Sequence, residues 1–409
     1  MSEGDGATNP FTHAASAGRR RDWTFLESAH GGVVNPPLWR ASTIIYESVA
    51  DLEAAGEYMD ERLFYGRKGT PTTWALREAL NGLEPGSAGT MLFPSGVAAL
   101  ATAILSVVKP GDHILITDSA YEPTTMMVEG LLAGLGIASD AYNPLAGGRI
   151  ADALRPETSL IIMESPGSLT FEIQDVPAIC RVARERGVAT LLDNTWAASL
   201  LFQGIAAGCD MVMQSGTKYV GGHSDLMLGS VSAVSGRFET LRRTAWALGQ
   251  CVSADDAALA LRGFRTLPLR MERHGQSALE VARWLETHPM VARVRHPALS
   301  SDPGHHLWRR DFSGASGLFA FELHVGSRAQ AGRFCDPMRH FRLGYSWGGY
   351  ESLIIPVRPD RIRKFDRGPP AGMMFRVSIG LEAVADLIAD LSDALERVSR
   401  LPPAGAAGA

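Results

Sequence analysis

Short apolar runs that alternate with helix-length segments set the tightest limit on how this chain can fold. The runs at 90–93 (TMLF), 113–117 (HILIT), 159–164 (SLIIME), 188–193 (VATLLD) and 210–214 (DMVMQ) are four to six residues long and rich in Leu, Ile, Val and Met. Apolar on both faces, such runs fit strands that are covered on both sides. Between them lie helical patterns at 96–108 and 175–186, the second closed by Gly187, and a turn at Lys109-Pro110-Gly111-Asp112. The rhythm predicts an α/β fold, a mostly parallel sheet with helices on both faces.

After about residue 250 the pattern changes. Helices are expected at 254–264 and 271–286, and strands at 317–324 and 374–379. A last helix carries Leu387, Ile388, Leu391, Leu395 and Val398 on one face, with Asp386, Asp390 and Asp393 read as its solvated side. The length, 409 residues, accommodates two or three packing units. The expected division is an N-terminal arm over 1–68, a large domain over 69–265, a smaller C-terminal α+β domain over 266–400 and a disordered tail over 401–409. Residues 1–20 are expected to fray.

Several classes lose their usual signals. A net charge of −5 argues against a nucleic-acid partner. The apolar stretch 89–108 is interrupted by Pro94, Ser95 and Gly96, so it reads as a buried helix rather than a membrane span. No export signal opens the chain, and a cytoplasmic location is expected. Cys180, Cys209, Cys251 and Cys335 contain no C-x-x-C pair and read as buried thiols. No G-x-G-x-x-G opens a helix and no Gly-Lys pair is present, which removes the common nucleotide fingerprints. His305-His306 lies in a polar stretch without a metal-ligand pattern, and Gly222-His223-Ser224-Asp225-Leu226 lacks the closing glycine of a nucleophile elbow.

Amine chemistry comes from a short list, because 35 of the 39 basic residues are Arg and the lysines are Lys68, Lys109, Lys218 and Lys364. Lys218 follows an apolar strand, stands beside Ser215 and Thr217, and precedes two glycines. Open α/β sheets bind ligands at such strand ends. Hydroxyls next to an amine suit a phosphate next to a Schiff base. Pyridoxal 5′-phosphate needs an amine, an acid for its ring nitrogen, a phosphate cup and a stacking group. Asp193 closes the run VATLLD and fits the ring nitrogen, or equally a helix cap. Ser95-Gly96-Val97 opens a helix whose amides and dipole favour phosphate, though an N-cap without ligand reads the same way. Tyr121 fits ring stacking or a place in the core.

Taken in order, these segments resemble the pyridoxal-phosphate enzymes of cysteine and methionine metabolism, the cystathionine lyase and synthase family. The resemblance runs from about residue 35 to 398. It is carried by Tyr65-Gly66-Arg67-Lys68-Gly69-Thr70, Phe93-Pro94-Ser95-Gly96, Asp118-Ser119-Ala120-Tyr121-Glu122-Pro123-Thr124, Leu192-Asp193-Asn194-Thr195-Trp196, Ser215-Gly216-Thr217-Lys218-Tyr219, and Phe375-Arg376-Val377-Ser378-Ile379. It implies the fold of type I, aspartate aminotransferase-like enzymes. It also implies that Lys218 holds the cofactor, Asp193 pairs with its ring nitrogen, Tyr121 stacks, and Gly96, Val97, Ser215 and Thr217 bind its phosphate. Tyr65 and Arg67 would reach the neighbouring subunit's phosphate, with the site built at a dimer interface in a homotetramer, a dimer of dimers. Arg376 would clamp the substrate carboxylate, and the residues agree: Phe375, Val377 and Ile379 share one strand face, leaving Arg376 on the other.

Tyr345-Ser346-Trp347 and Glu164-Ser165-Pro166-Gly167-Ser168 resemble the β-lyase branch of the family. That implies β-elimination from L-cystathionine, with Ser346 and Trp347 at the substrate. A broader cysteine-S-conjugate β-lyase or cysteine desulfhydrase, a γ-lyase or γ-synthase, and a cofactor-binding regulator without catalysis are the alternatives.

Overall fold

The computed structural model describes residues 8–26, 30–56, 62–365 and 372–401. A seven-stranded sheet lies at its centre, built in chain order from β1 (Gly89–Phe93), β2 (His113–Thr117), β3 (Ala138–Tyr142), β4 (Thr158–Glu164), β5 (Ala189–Asp193), β6 (Met211–Ser215) and β7 (Gly229–Ala233), with spatial order β1-β7-β6-β5-β4-β2-β3. Strands β3, β2, β4, β5 and β6 run parallel, and β7 pairs antiparallel with both β6 and β1. All five residues of β2 are buried, as expected of a strand with helices on both faces.

Two strands escape the apolar pattern, for different reasons. β7 reads Gly-Ser-Val-Ser-Ala, yet every residue is buried; the Ser232 hydroxyl is satisfied by Thr90 Oγ1 across the ladder at 2.7 Å, which lets a polar strand enter the core. β3 lies at the sheet edge, where Ser139 and Asp140 remain partly exposed.

A second sheet of five strands follows: β8 (Val291–Arg295), β9 (Leu318–Leu323), β10 (Arg342–Leu343), β11 (Leu353–Pro356) and β12 (Met374–Ser378), in the order β8-β9-β12-β11-β10. One face of β12 packs Phe375, Val377 and Ile379 against the last helix, Val384–Val398, and the long helix Leu267–Glu286. A large, mostly parallel sheet is thus followed by a smaller C-terminal sheet, the α/β architecture expected from the sequence.

Four expectations need correction. Asp390 is not a solvated residue but 1% exposed. Its carboxylate accepts from the amides of Arg339, His340 and Phe341 at 2.7–3.2 Å and so holds the turn in front of β10. Cys251 is exposed, while the other three thiols are buried. Residues 10–16 are a helix rather than a frayed end: Asn9 caps it, Ala14 enters the core, and His13 bonds Ala79 O at 2.8 Å. Of the tail expected over 401–409, Leu401 is instead packed into the C-terminal core with its amide on Val398 O at 3.0 Å, and 402–409 lie outside the described residues. Among the described residues no helix is long and apolar enough to cross a membrane, and no cluster of metal-binding side chains occurs.

Candidate active site

The pocket sits at the carboxyl ends of the parallel strands, where each strand hands a polar side chain to the loop that follows. Ser95 follows β1, Glu164 ends β4, Asp193 ends β5 and Ser215 ends β6, and all four line one cavity of about 160 Å³. Gly96, Val97, Tyr121, Thr217, Lys218, Trp347 and Arg376 line it too. Ser346 reaches Lys218 directly, its Oγ accepting from Nζ at 3.0 Å.

Lys218 is placed by a tight turn after β6, with its N–H on Ser215 O at 3.1 Å and its carbonyl accepting from Gly222 N at 2.8 Å. Burial, and then the Arg376 guanidinium, pull its ammonium down to about 8, partly opposed by Asp193. The amine is therefore far easier to deprotonate than a free lysine. Trp347 lies with its ring centre 5.3 Å from Nζ and is itself held against Tyr219.

Asp193 accepts from both the amide and the hydroxyl of Thr195 at Oδ1, at 3.0 and 2.5 Å. Thr195 Oγ1 in turn accepts from Ser215 N at 2.9 Å. One hydroxyl thus couples the carboxylate on β5 to the start of the Lys218 turn. Burial raises the Asp193 pKa, while Thr195 and Lys218 act to lower it.

The helix Gly96–Leu105 starts at the cavity. Ser95 caps it, accepting from Ala98 N at 3.1 Å. Gly96 is required by close approach, since a Cβ there would stand 2.9 Å from Ser215 Oγ. The first turn of this helix opens on the cavity that Ser95, Ser215 and Thr217 also line, where helix amides and dipole favour an anion. The Thr217 hydroxyl also ties β7's approach, donating to Leu228 O at 3.2 Å and accepting its N–H at 3.0 Å.

Arg376 enters from the second sheet. It is 9% exposed, and burial pulls its guanidinium down to about 10. Nη2 donates to Tyr345 O at 2.6 Å and Ser346 O at 3.1 Å, while Nε has no protein partner. A largely buried guanidinium that lines the cavity and pairs with no carboxylate among the described residues suits an incoming carboxylate.

Tyr65 and Arg67 are not brought to this pocket. Tyr65 is exposed, and Arg67 Nη1 donates to Trp246 O at 2.9 Å.

A family model described as "Cys/Met metabolism PLP-dependent enzyme" matches residues 12–396. The chain belongs to this family. It is 43% identical over 396 residues to the cystathionine β-lyase of Escherichia coli K12, covering 95% of this chain and 98% of that one. Its identity to the cystathionine β-lyase of Salmonella typhimurium is likewise 43%, over 398 residues and the same shares. A solved structure of cystathionine γ-synthase from Xanthomonas oryzae, in complex with aminoacrylate and cysteine, matches with a TM-score of 0.86 at 32% identity, covering 96% of this chain and 99% of that one.

As a member of the family the chain is an enzyme that depends on pyridoxal phosphate, and the pocket fits that group on its own evidence. The side-chain-free approach at Gly96, the amine of Lys218 and the half-buried carboxylate of Asp193, 25 positions earlier, meet in one cavity. Two pocket residues were not singled out by sequence reasoning. Thr195 and Glu164 stand in the sequence only as members of the motifs 192–196 and 164–168. Glu164 carries the same signal that drew attention to Asp193, an acid closing an apolar strand, and the two are register partners on adjacent strands.

Proposed function

We propose that the enzyme breaks the Cβ–S bond of L-cystathionine, releasing homocysteine and a three-carbon enamine that water hydrolyses to pyruvate and ammonia. The observation that carries this reading is a lysine amine available near pH 8 and held between Ser346, Trp347 and Arg376, in a chain 43% identical to two β-lyases. Lys218 holds the cofactor, Asp193 its ring nitrogen and Tyr121 a ring face; Gly96, Val97, Ser215 and Thr217 receive its phosphate. The bound cofactor supplies an electron sink for the substrate Cα. Arg376 fixes the substrate carboxylate, which orients the Cα–H bond toward Lys218. Lys218 Nζ, freed once the substrate's amino group takes its place and steadied by Ser346 Oγ, would take the Cα proton and then, as the ammonium, deliver a proton to the departing sulfur. Trp347 and Leu318 exclude water beside the thioether.

The chain is further proposed to act as a cytoplasmic homotetramer in which residues 1–68 serve as an arm. Tyr65 and Arg67 would then complete the phosphate site of a neighbouring subunit, a reading supported by their lying outside their own chain's pocket.

The test is a panel of thioether amino acids and cysteine, with product identification. Pyruvate with homocysteine from cystathionine is expected as the fastest reaction. Formation of 2-oxobutyrate with cysteine would replace the reading by γ-cleavage. Faster pyruvate release from cysteine or other S-conjugates would replace it by a broader β-lyase.

A further inference from the structure

Tyr121 stands just past β2, on a segment gripped from two sides. From beneath, Glu164 Oε2 accepts the Tyr121 amide at 2.6 Å. From above, the stretch after β11 folds across the seven-stranded sheet. There Arg363 donates through Nη1 to Asp118 O and through Nη2 to Ser168 O and Thr170 Oγ1, the last at 3.0 Å. The contact is returned: the Asp118 carboxylate accepts Lys364 N at 2.8 Å and Phe365 N at 2.9 Å, one amide on each oxygen. Residues some 245 positions apart thus exchange bonds in both directions.

The grip reaches both walls of the pocket. Ser168 N donates to Ser119 O at 2.8 Å, so the Tyr121 segment and the 166–170 loop are already joined to each other, and Arg363 spans the pair. Both Tyr121 and Ser168 line the cavity. Asp118 itself is 7% exposed and makes no contact with the cavity's reacting groups in the bonds described, so its carboxylate is committed to the two amides. An Arg fork can hold two carbonyls and a hydroxyl at once, whereas an ammonium presents a single point of charge.

We propose that Asp118 and Arg363 are positioning residues that form a two-way clasp between the 361–365 stretch and the pocket wall, and that this clasp sets where Tyr121 stands over the site. The clasp deepens the proposed β-lyase reading by adding a distant determinant of the same pocket, and its structural part is measurable whatever the substrate.

Arg363→Lys, Arg363→Ala, Asp118→Ala and the double alanine variant are made in the cofactor-loaded enzyme. Amide hydrogen exchange at 120–121 and 168–170 is expected to speed up about tenfold or more in each single variant, with cofactor content close to the parent. The kcat/KM for cystathionine is expected to fall about tenfold, Arg363→Lys is expected not to restore it, and the double variant is expected to be no worse than the poorer single one, because losing either set of bonds releases the same stretch from the same wall. Unchanged exchange, rates within twofold of the parent, full rescue by Lys, or multiplying defects would each overturn the clasp. A parent that fails to cleave cystathionine would overturn the function while the exchange result still judges the clasp.

Discussion

The two sheets supply the pocket in opposite ways. Around the seven-stranded sheet, site groups stand just past strand ends: Ser95 after β1, Asp193 at the end of β5, Ser215 and then Lys218 after β6. The five-stranded sheet offers Arg376 from within β12, opposite Ala320 and Ile355, and the 345–347 loop that its guanidinium holds through carbonyls. Strand ends of a parallel sheet converge on one edge by topology, so side chains there meet without special packing. A strand interior reaches a site only when a second domain is docked at the right angle. In the proposed mechanism the first sheet thus holds the cofactor and the second reads the substrate.

That division can be broken at its strongest point first. Lys218→Ala is expected to remove the visible absorbance of covalently held cofactor and to lower turnover by about 10³-fold or more. Retained pyruvate release would refute the role of Lys218. Arg376→Lys is expected to lower kcat/KM about 10²-fold while cofactor content stays at the parent's level, because an ammonium cannot replace a planar fork at a carboxylate. Loss of cofactor in that variant would erase the proposed split between the sheets. Asp390→Ala sharpens the comparison from the far side of the second sheet. It leaves three amide donors without their carboxylate and is expected to cost about 3 kcal/mol in urea unfolding, with kcat and KM of the loaded enzyme unchanged. A kinetic defect there would mean that the turn before β10 tunes the Arg376 loop.

Asp193 and Asp390 show how far local pattern carries. Both are acids beside apolar runs, and both turn out to be carboxylates with N–H donors, Asp390 buried and Asp193 half-buried at the pocket. Asp193 was legible because it ends a strand in a βα unit, a position with a topological meaning. Asp390 sits on a helix at the spacing of its polar face, and its partners lie some 50 residues away in sequence. No periodicity encodes that contact. β7 shows the same limit, since Gly-Ser-Val-Ser-Ala reads as a loop until Thr90 supplies a partner for its buried hydroxyl. Glu164 was within reach of the rule that found Asp193.

By itself the sequence determined the βα order, the strand ends that bear polar groups, and the scarcity of lysine that makes Lys218 stand out. These depend on neighbours in the chain, which side-chain alternation and turn residues report directly. The tertiary structure alone decided the lowered basicity of Lys218, the unpaired donor on Arg376 and the clasp of Arg363 on Asp118. Each depends on burial or on a partner more than 100 residues away, and desolvation and long-range hydrogen bonds exist only once the two sheets are packed together.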